Sequence, residues 1–156
     1  MNGNLFAATG NGRALALSEI PELALAEFRK EVIQGVRTGS RLACLCADKQ
    51  KRLFAVLADD AEGRLWLGRT RLEGSSYPSL TPECPQAHLF EREMAEQYSL
   101  RPEGHPWFKP LRSHHPWSGA DPWDRQEIQP AVMDFYEVRG DEVHEVSVGP
   151  VHAGVI

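Results

Sequence analysis

Two acidic side chains, Glu91 and Glu93, are the first candidates for general acid–base chemistry, because paired carboxylates can donate and accept protons at one substrate atom. The pattern around them predicts a helix, and residues two positions apart on a helix diverge by roughly 160°. The two carboxylates therefore cannot address one atom together. We expect them to border the apolar stripe of the helix and to form ion pairs or hydrogen bonds with the loops on either side.

Histidines could supply metal ligands in the second half of the chain. The candidates are His105, His114 and His115, with Cys84 or His88 as a fourth ligand. Their spacings match no zinc motif, and the proline-rich backbone between them fixes no ligand geometry. Capping and packing roles are therefore expected for these side chains, while a stand-alone metal-dependent enzyme that uses the histidine-rich loop stays open as an alternative.

The three cysteines offer less chemistry. Cys44 and Cys46 alternate along an apolar run, which predicts a buried strand with both thiols on one face as small core residues. Cys84 lies between two prolines, and no neighbouring base in the sequence would activate its thiol. Three cysteines without paired spacing favour a reducing cytoplasm over a disulfide framework. The Gly-Asn-Gly at residues 10–12 is too short and isolated to be a phosphate loop.

A first helix is indicated between Pro21 and Gly39, because apolar residues recur there at helical spacing. These apolar residues are Leu25, Phe28, Val32 and Val36. Before this helix, residues 13–17 are predicted to form a short edge strand. The pattern predicts an amphipathic helix lying on a sheet.

Two nearly continuous apolar runs, residues 41–47 and 53–58, predict strands that are either covered on both faces or lined by small side chains on one. Their connection is too short for a parallel crossover, so the pair is antiparallel. A turn at residues 59–63 leads into a third strand around residues 65–67. The expected fold class is α+β, with a three- to four-stranded antiparallel meander packed with two main helices.

The second helix is predicted at residues 86–98. Its apolar stripe consists of Ala87, Phe90, Met94 and Tyr98. Arg92 and Glu96 form an i,i+4 pair on the opposite side.

A long segment at residues 101–131 contains six of the 11 prolines, three of the four tryptophans and three of the six histidines. Disordered segments are poor in aromatic residues, so we expect this segment to be extended and ordered by packing on something else. Two apolar runs at residues 133–138 and 143–148 predict a C-terminal hairpin.

These patterns divide the chain into four parts: a loose N-terminus at residues 1–12, an α+β core at 13–100, a docking segment at 101–131, and a closing part at 132–156. The length of 156 residues suits one domain with an appendage. A net charge of −5 argues against a nucleic-acid or anionic-membrane surface. The sequence has no apolar run near the ~20 residues that span a bilayer, and no signal peptide opens it. Any contact with a membrane would therefore go through a partner.

The middle of the chain resembles the signature of the thirty-kilodalton subunit of respiratory complex I. That signature consists of a proline-rich approach, an aromatic-Glu-Arg-Glu helix and a Gly-His-Pro turn. The matching residues are Tyr77, Pro78, Ser79 and Thr81 in the approach, Phe90, Glu91, Arg92 and Glu93 in the helix, Gly104, His105 and Pro106 in the turn, and Trp107, Lys109 and Arg112 after it. The resemblance implies that these residues contact partners and that the fold is α+β.

Two stretches depart from the complex I branch of this family. Residues 94–100 and 107–112 look instead like the energy-converting, membrane-bound [NiFe] hydrogenases and the formate hydrogenlyase complex, where the same domain is often fused ahead of the large subunit. Residues 148–156 look like the first strand of that large subunit. On this resemblance the chain is a domain cut from a longer polypeptide, with the nickel-binding Cys-x-x-Cys pairs beyond Ile156.

The resemblance also implies a function. The domain would be a non-catalytic part of the peripheral arm of a respiratory oxidoreductase, holding the large subunit against the iron–sulfur small subunits at the cytoplasmic face of the membrane. It would carry no nickel, no iron–sulfur cluster and no flavin itself. A genuine thirty-kilodalton subunit of NADH:quinone oxidoreductase is the alternative within the family, and a protein-binding module unrelated to respiration is a third possibility.

Overall fold

A computed structural model describes residues 5–112, 115–123, 125 and 140–141 of the chain. The main elements in chain order are β1 (Ala7–Gly10), β2 (Glu22–Leu23), α1 (Leu25–Arg37), β3 (Arg41–Ala47), β4 (Arg52–Asp59), β5 (Arg64–Arg71), β6 (Ser76–Pro78), α2 (His88–Tyr98) and β7 (Arg101–Glu103). Short 3-10 turns occupy Leu17–Glu19 and Pro85–Ala87. The α+β class expected from the sequence is confirmed for the described residues.

The antiparallel meander β3–β4–β5 is the centre of the fold, as the short connections between its strands predicted. The free edge of β5 is covered by β1, which pairs with it antiparallel, and by β2, which pairs with it parallel. The prediction of a strand at residues 13–17 is wrong. The edge strand is the earlier β1, because Phe6 beside it buries its ring against Phe28, whereas Leu17 lies exposed.

Helix α1 packs on one face of this sheet. Phe28 and Val32 are fully buried, as the helical spacing predicted. The helix begins four residues later than Pro21 because Glu22 and Leu23 pair with β5. It ends just before Gly39, whose φ of +108° lies in the left-handed region that glycine tolerates at a helix end.

The sheet buries one face and leaves the other partly open. Leu45 and Ala47 of β3 point into the core, so the alternation of the strand turns Cys44 and Cys46 to the outer face. The prediction of two core thiols is therefore wrong: Cys44 is half-buried and Cys46 is exposed. Strand alternation assigns the core face to the larger leucine, which gains more from burial.

Helix α2 lies beside β3 and the short parallel pair β6–β7. Ala87 and Met94 are buried as predicted, and Phe90 and Tyr98 pack partly buried against the core. Arg92 and Glu96 are predicted on the side opposite the apolar stripe, and both are buried there. The reason is that residues 101–112 pass over this second side of the helix and bond to it.

The predicted hairpin at residues 133–138 and 143–148 lies outside the described residues. The division of the chain at residues 12, 100 and 131 stays a prediction. Within the part of the chain that the structure describes, no helix is long and apolar enough to cross a bilayer.

Candidate docking surface around helix α2

The carboxylate of Glu91 is fully buried and fixes the proline-rich segment that precedes α2. Its Oε2 accepts hydrogen bonds from the hydroxyls of Ser79 and Thr81, each at 2.6 Å. Its Oε1 accepts one from the N–H of Leu80 at 2.7 Å, and the N–H of Thr81 lies 3.2 Å from Oε2. Charge-assisted bonds of this kind satisfy a buried carboxylate. The Glu91 carboxylate therefore has a structural role. This role explains why Ser79 and Thr81 occur in the proline-rich segment before α2.

Tyr77 lies buried behind the same carboxylate. Burial raises the pKa of its phenol well above the ordinary value, and the Glu91 carboxylate raises it further. The strand that carries Tyr77, β6, pairs with β7, and the N–H of Ser79 donates to the carbonyl of Glu103 at 2.8 Å. The approach is thus held on one side by α2 and on the other by β7, while Pro78 remains exposed.

Arg92 holds the segment that follows the Gly-His-Pro turn. Its Nε donates to the carbonyl of Lys109 at 2.8 Å, and its Nη2 donates to the carbonyl of Pro110 at 2.7 Å. The guanidinium also lies over the ring of Trp107, 5.0 Å from the centroid. Burial lowers the pKa of Arg92, an effect that the neighbouring Glu96 opposes.

Two further carboxylates of α2 bind Arg112. The backbone N–H of Arg112 lies 3.0 Å from both oxygens of the fully buried Glu96, and its guanidinium forms an ion pair with Glu93. Glu91 and Glu93 therefore serve loops on opposite sides of the helix, as their spacing predicted. Glu96 was missed as a partner of this segment. Its position three residues after Glu93 was the available signal, because such residues share a helix face.

The Gly-His-Pro turn is fixed by the imidazole of His105. Its Nδ1 accepts from the N–H of Trp107 at 3.1 Å, and its Nε2 lies 3.3 Å from the carbonyl of His88. The imidazole thereby ties the turn to the first residue of α2. Gly104 precedes it with a φ of +78°, a conformation that glycine adopts readily.

These contacts present an apolar patch at the start of α2. Trp107 stacks on the imidazole of His88, with ring centroids 5.6 Å apart, and remains 52% exposed. Leu89, on the next position of the helix, is 53% exposed. With the exposed Pro106 and Lys109 beside them, these residues form what we call the Trp107 face. Lys109 Nζ lies 5.4 Å from the Trp107 ring, so the patch has a cationic rim.

A second exposed tryptophan lies near the other end of α2. Trp117 is 71% exposed, and Lys49 Nζ lies 5.1 Å from its ring centroid. The N–H of Ser118 donates to the carbonyl of Gln97, which ties this part of the segment to the helix. Trp117 and Tyr98 line a cavity of about 410 Å³ between the segment and β3.

The structure describes all the residues that carry the family resemblance, and it brings them together around helix α2. It does not bring the described candidate ligands of the histidine-based metal site into one group. Among the described residues, no three His, Cys, Asp or Glu side chains form a ligand group. Cys84 is buried, and burial raises the pKa of its thiol. His114 lies outside the described residues.

Residues 26–130 match the family model described as the respiratory-chain NADH dehydrogenase, 30 Kd subunit. The match covers more than half of the 156 residues and includes the whole of α2 and its bound segments.

Proposed function

Because the chain belongs to the 30 kDa subunit family of respiratory-chain NADH dehydrogenase, we propose that it acts as a structural and assembly domain without turnover of its own. Its partners are the large subunit and the iron–sulfur small subunits of a respiratory oxidoreductase. The redox centres reside in those partners. The domain sits in the peripheral arm, on the cytoplasmic side, and reaches the membrane only through them.

The observation that carries this proposal is the packing of the exposed Trp107 side chain. Its ring is half exposed, yet it is held between Arg92, His88 and Lys109. Tryptophan and arginine dominate the energetics of protein interfaces. A side chain that is already fixed loses little conformational entropy on docking. The Trp107 face therefore suits the centre of an interface, and its charged neighbours suit the rim.

Within the family, we place the chain in the branch fused to the large subunit of energy-converting [NiFe] hydrogenases or formate hydrogenlyase. The support is in residues 94–100 and 107–112, which depart from the complex I pattern in the sequence. A separate thirty-kilodalton subunit of an NADH:quinone oxidoreductase is the alternative. The reading frame after the codon for Ile156 distinguishes them, because a Cys-x-x-Cys pair encoded there favours the hydrogenase branch and a stop codon favours the alternative.

The docking proposal is tested by replacing Trp107 with Ala and measuring binding to the large subunit. We expect a loss of at least about tenfold in affinity, since central aromatic residues at interfaces contribute more than about 1.4 kcal/mol. The matched control is Trp117→Ala, which removes a still more exposed tryptophan from the same segment. Wild-type binding by the Trp107 variant, with both variants folded by circular dichroism, would contradict the proposed surface.

Metal analysis of the purified chain tests the competing enzyme class. Stoichiometric zinc, nickel or iron that disappears in a His105→Ala variant, together with conversion of a small molecule, would replace the assembly proposal with the metal-dependent enzyme. On the assembly proposal, the same variant disturbs the Trp107 face and weakens partner binding.

A further inference from the structure

The free edge of β3 is a surface that the docking proposal does not use. Among the described strands, β3 pairs with β4 alone, so its second edge faces away from the sheet. The start of this edge is covered, because the N–H of Leu42 donates to the side-chain oxygen of Gln86 at 2.7 Å. No strand of the described part covers the edge at residues 43–47. Unpaired backbone groups on an edge strand readily accept another strand.

A groove runs along this uncovered edge. The cavity of about 410 Å³ lies between Ala47 of β3 and Met94 of α2, and it reaches Tyr98 and Trp117. Ala47 and Met94 are both buried, so the inner wall of the cavity is apolar. A second cavity, of about 340 Å³, continues from Tyr98 and Trp117 to Lys49. We call these two cavities the β3 groove.

The outer part of the β3 groove is cationic. Lys49 and Lys51 both line it. Lys49 Nζ lies 5.1 Å from the centroid of the Trp117 ring, and Lys51 Nζ donates to a serine hydroxyl at 3.0 Å, so neither contact neutralises the charge of its lysine. The carboxylate of Asp48 beside them pairs with Arg52. The groove therefore favours an occupant that carries acidic side chains as well as apolar ones.

The chain leaves the described part at the rim of this groove. Arg112 lines the groove and pairs with Glu93 of α2. Arg125 Nη1 donates to the carbonyl of Arg112 at 3.5 Å. Residues 126–156 follow, of which the structure describes 140 and 141. An extended chain advances about 3.3 Å per residue, so the residues between Arg125 and position 143 are long enough to return along the groove in either direction.

The strand that the sequence predicts at residues 143–148 has the composition that the groove favours. Val146 and Val148 alternate there with Glu145 and Ser147. Alternate side chains of a strand point to opposite faces, so the two valines would meet the apolar wall while Glu145 meets the cationic part. The Gly-Pro pair at residues 149–150 ends such a strand.

We propose that residues 143–148 of this chain bind in the β3 groove as an added strand that pairs with the edge of β3. Main-chain hydrogen bonds hold the added strand, and the alternation of its side chains sets its register. Val146 and Val148 extend the core face that Ala47 begins, and Glu145 lies on the outer face with Cys46. The added strand covers an edge that would otherwise recruit another chain. The proposal does not depend on the Trp107 face, which lies at the start of α2.

Disulfide trapping in the full chain tests this pairing, with the exposed Cys46 as the native probe. Directly opposed residues of neighbouring strands have Cα atoms about 4.5–5.5 Å apart, within the range of about 4.4–6.8 Å that disulfides span. In a Cys44→Ser background, mild oxidation should link Cys46 to the thiol introduced by Glu145→Cys or by Ser147→Cys. The link should form within one chain, which peptide mass mapping and dilution establish.

The matched control is Val146→Cys, whose side chain faces away from Cys46 in the proposed strand and should stay unlinked. Three outcomes would overturn the proposal. A link as ready in the control as in the other variants would show that no strand register exists. A link only between chains would assign the groove to a second copy, and the absence of a link in every variant would place the segment elsewhere.

Hydrogen exchange of the unaltered chain gives a second measurement. The amides of residues 43–47 that do not bond to β4 should exchange slowly, and equally slowly at all protein concentrations. Glu145→Lys should speed this exchange about two- to fivefold, as expected for loss of a partly exposed ion pair, whereas Glu73→Lys should leave it unchanged. Exchange at these amides as fast as in the turn at residues 60–63 would contradict the proposal.

Discussion

At the scale of single residues, the acidic pair of α2 shows how position decides a role. Glu91 is surrounded by four donors from residues 79–81, and Glu93 faces Arg112. A carboxylate whose acceptor sites are filled by backbone and hydroxyl donors is a structural group. The proline-rich segment before α2 and the helix itself therefore form one hydrogen-bonded unit.

Replacing Glu91 with Gln should destabilise the domain by about 2–4 kcal/mol, because the amide places N–H donors against buried donors and removes the charge. Urea unfolding followed by circular dichroism measures the change. Glu73→Gln is the control, since Glu73 lies exposed and its substitution should stay within about 0.5 kcal/mol. Equal effects of the two substitutions would show that the buried network contributes little.

His88 gives a pH dependence at the same scale. Burial lowers its pKa from the ordinary 6.5, Arg92 and His105 lower it further, and Glu91 opposes them. The folded chain then binds fewer protons at this site than the unfolded chain. Its contribution to stability is complete above about pH 6.5 and is lost as the pH falls from 6.5 through the folded pKa.

Nuclear magnetic resonance titration of the ring protons of His88 checks this expectation. The midpoint should lie below that of the same residue in urea-unfolded chain. His88→Gln should reduce the slope of unfolding free energy against pH in this window. A midpoint at or above the unfolded value would contradict it.

At the scale of elements, two helices meet the sheet in different ways. Helix α1 is a one-sided amphipathic helix, buried through Phe28 and Val32. Helix α2 is buried on two sides, because its polar side chains are covered by the segments they bind. Apolar periodicity locates the first kind of helix through its buried stripe. It finds only the apolar half of the second, since burial of Glu91, Arg92 and Glu96 depends on distant backbone.

Close packing in the sheet gives a prediction at this scale. A Cβ on Gly68 of β5 would overlap the ring of Phe6. Gly68→Ala should therefore cost about 1–3 kcal/mol through overpacking, measured as a shift of the urea midpoint. Gly74→Ala is the matched control, because its Cβ would meet only the Ser76 nitrogen at 3.9 Å. A neutral Gly68→Ala would mean that the N-terminal segment moves aside at little cost.

At the scale of the whole molecule, the contacts of residues 101–112 determine what a truncation does. This stretch supplies β7 and the groups that satisfy Arg92 and Glu96. The division drawn from the sequence places residues 101–131 outside the α+β core, which suggests that the core folds without them. The contacts lead us to expect the opposite, because removal takes away the backbone groups to which Arg92 and Glu96 bond.

Two truncations test this point. A chain that ends at residue 125 keeps all of these contacts and should unfold cooperatively in urea. A chain that ends at residue 100 should be destabilised by more than about 3 kcal/mol or fail to fold. A stable, cooperatively folded chain of residues 1–100 would show that the segment is an appendage.

The sequence by itself determined the meander, helix α1, the place of α2 and the family, because apolar periodicity, short connections and a local motif act over few residues. Tertiary structure decided the rest. It turned Cys44 and Cys46 outward, since the face of a strand depends on what lies above it. It made β1 the edge strand in place of residues 13–17, because the ring of Phe6 packs on Phe28. It buried the charges of α2, since only the folded chain brings residues 79–81 and 109–112 to that helix.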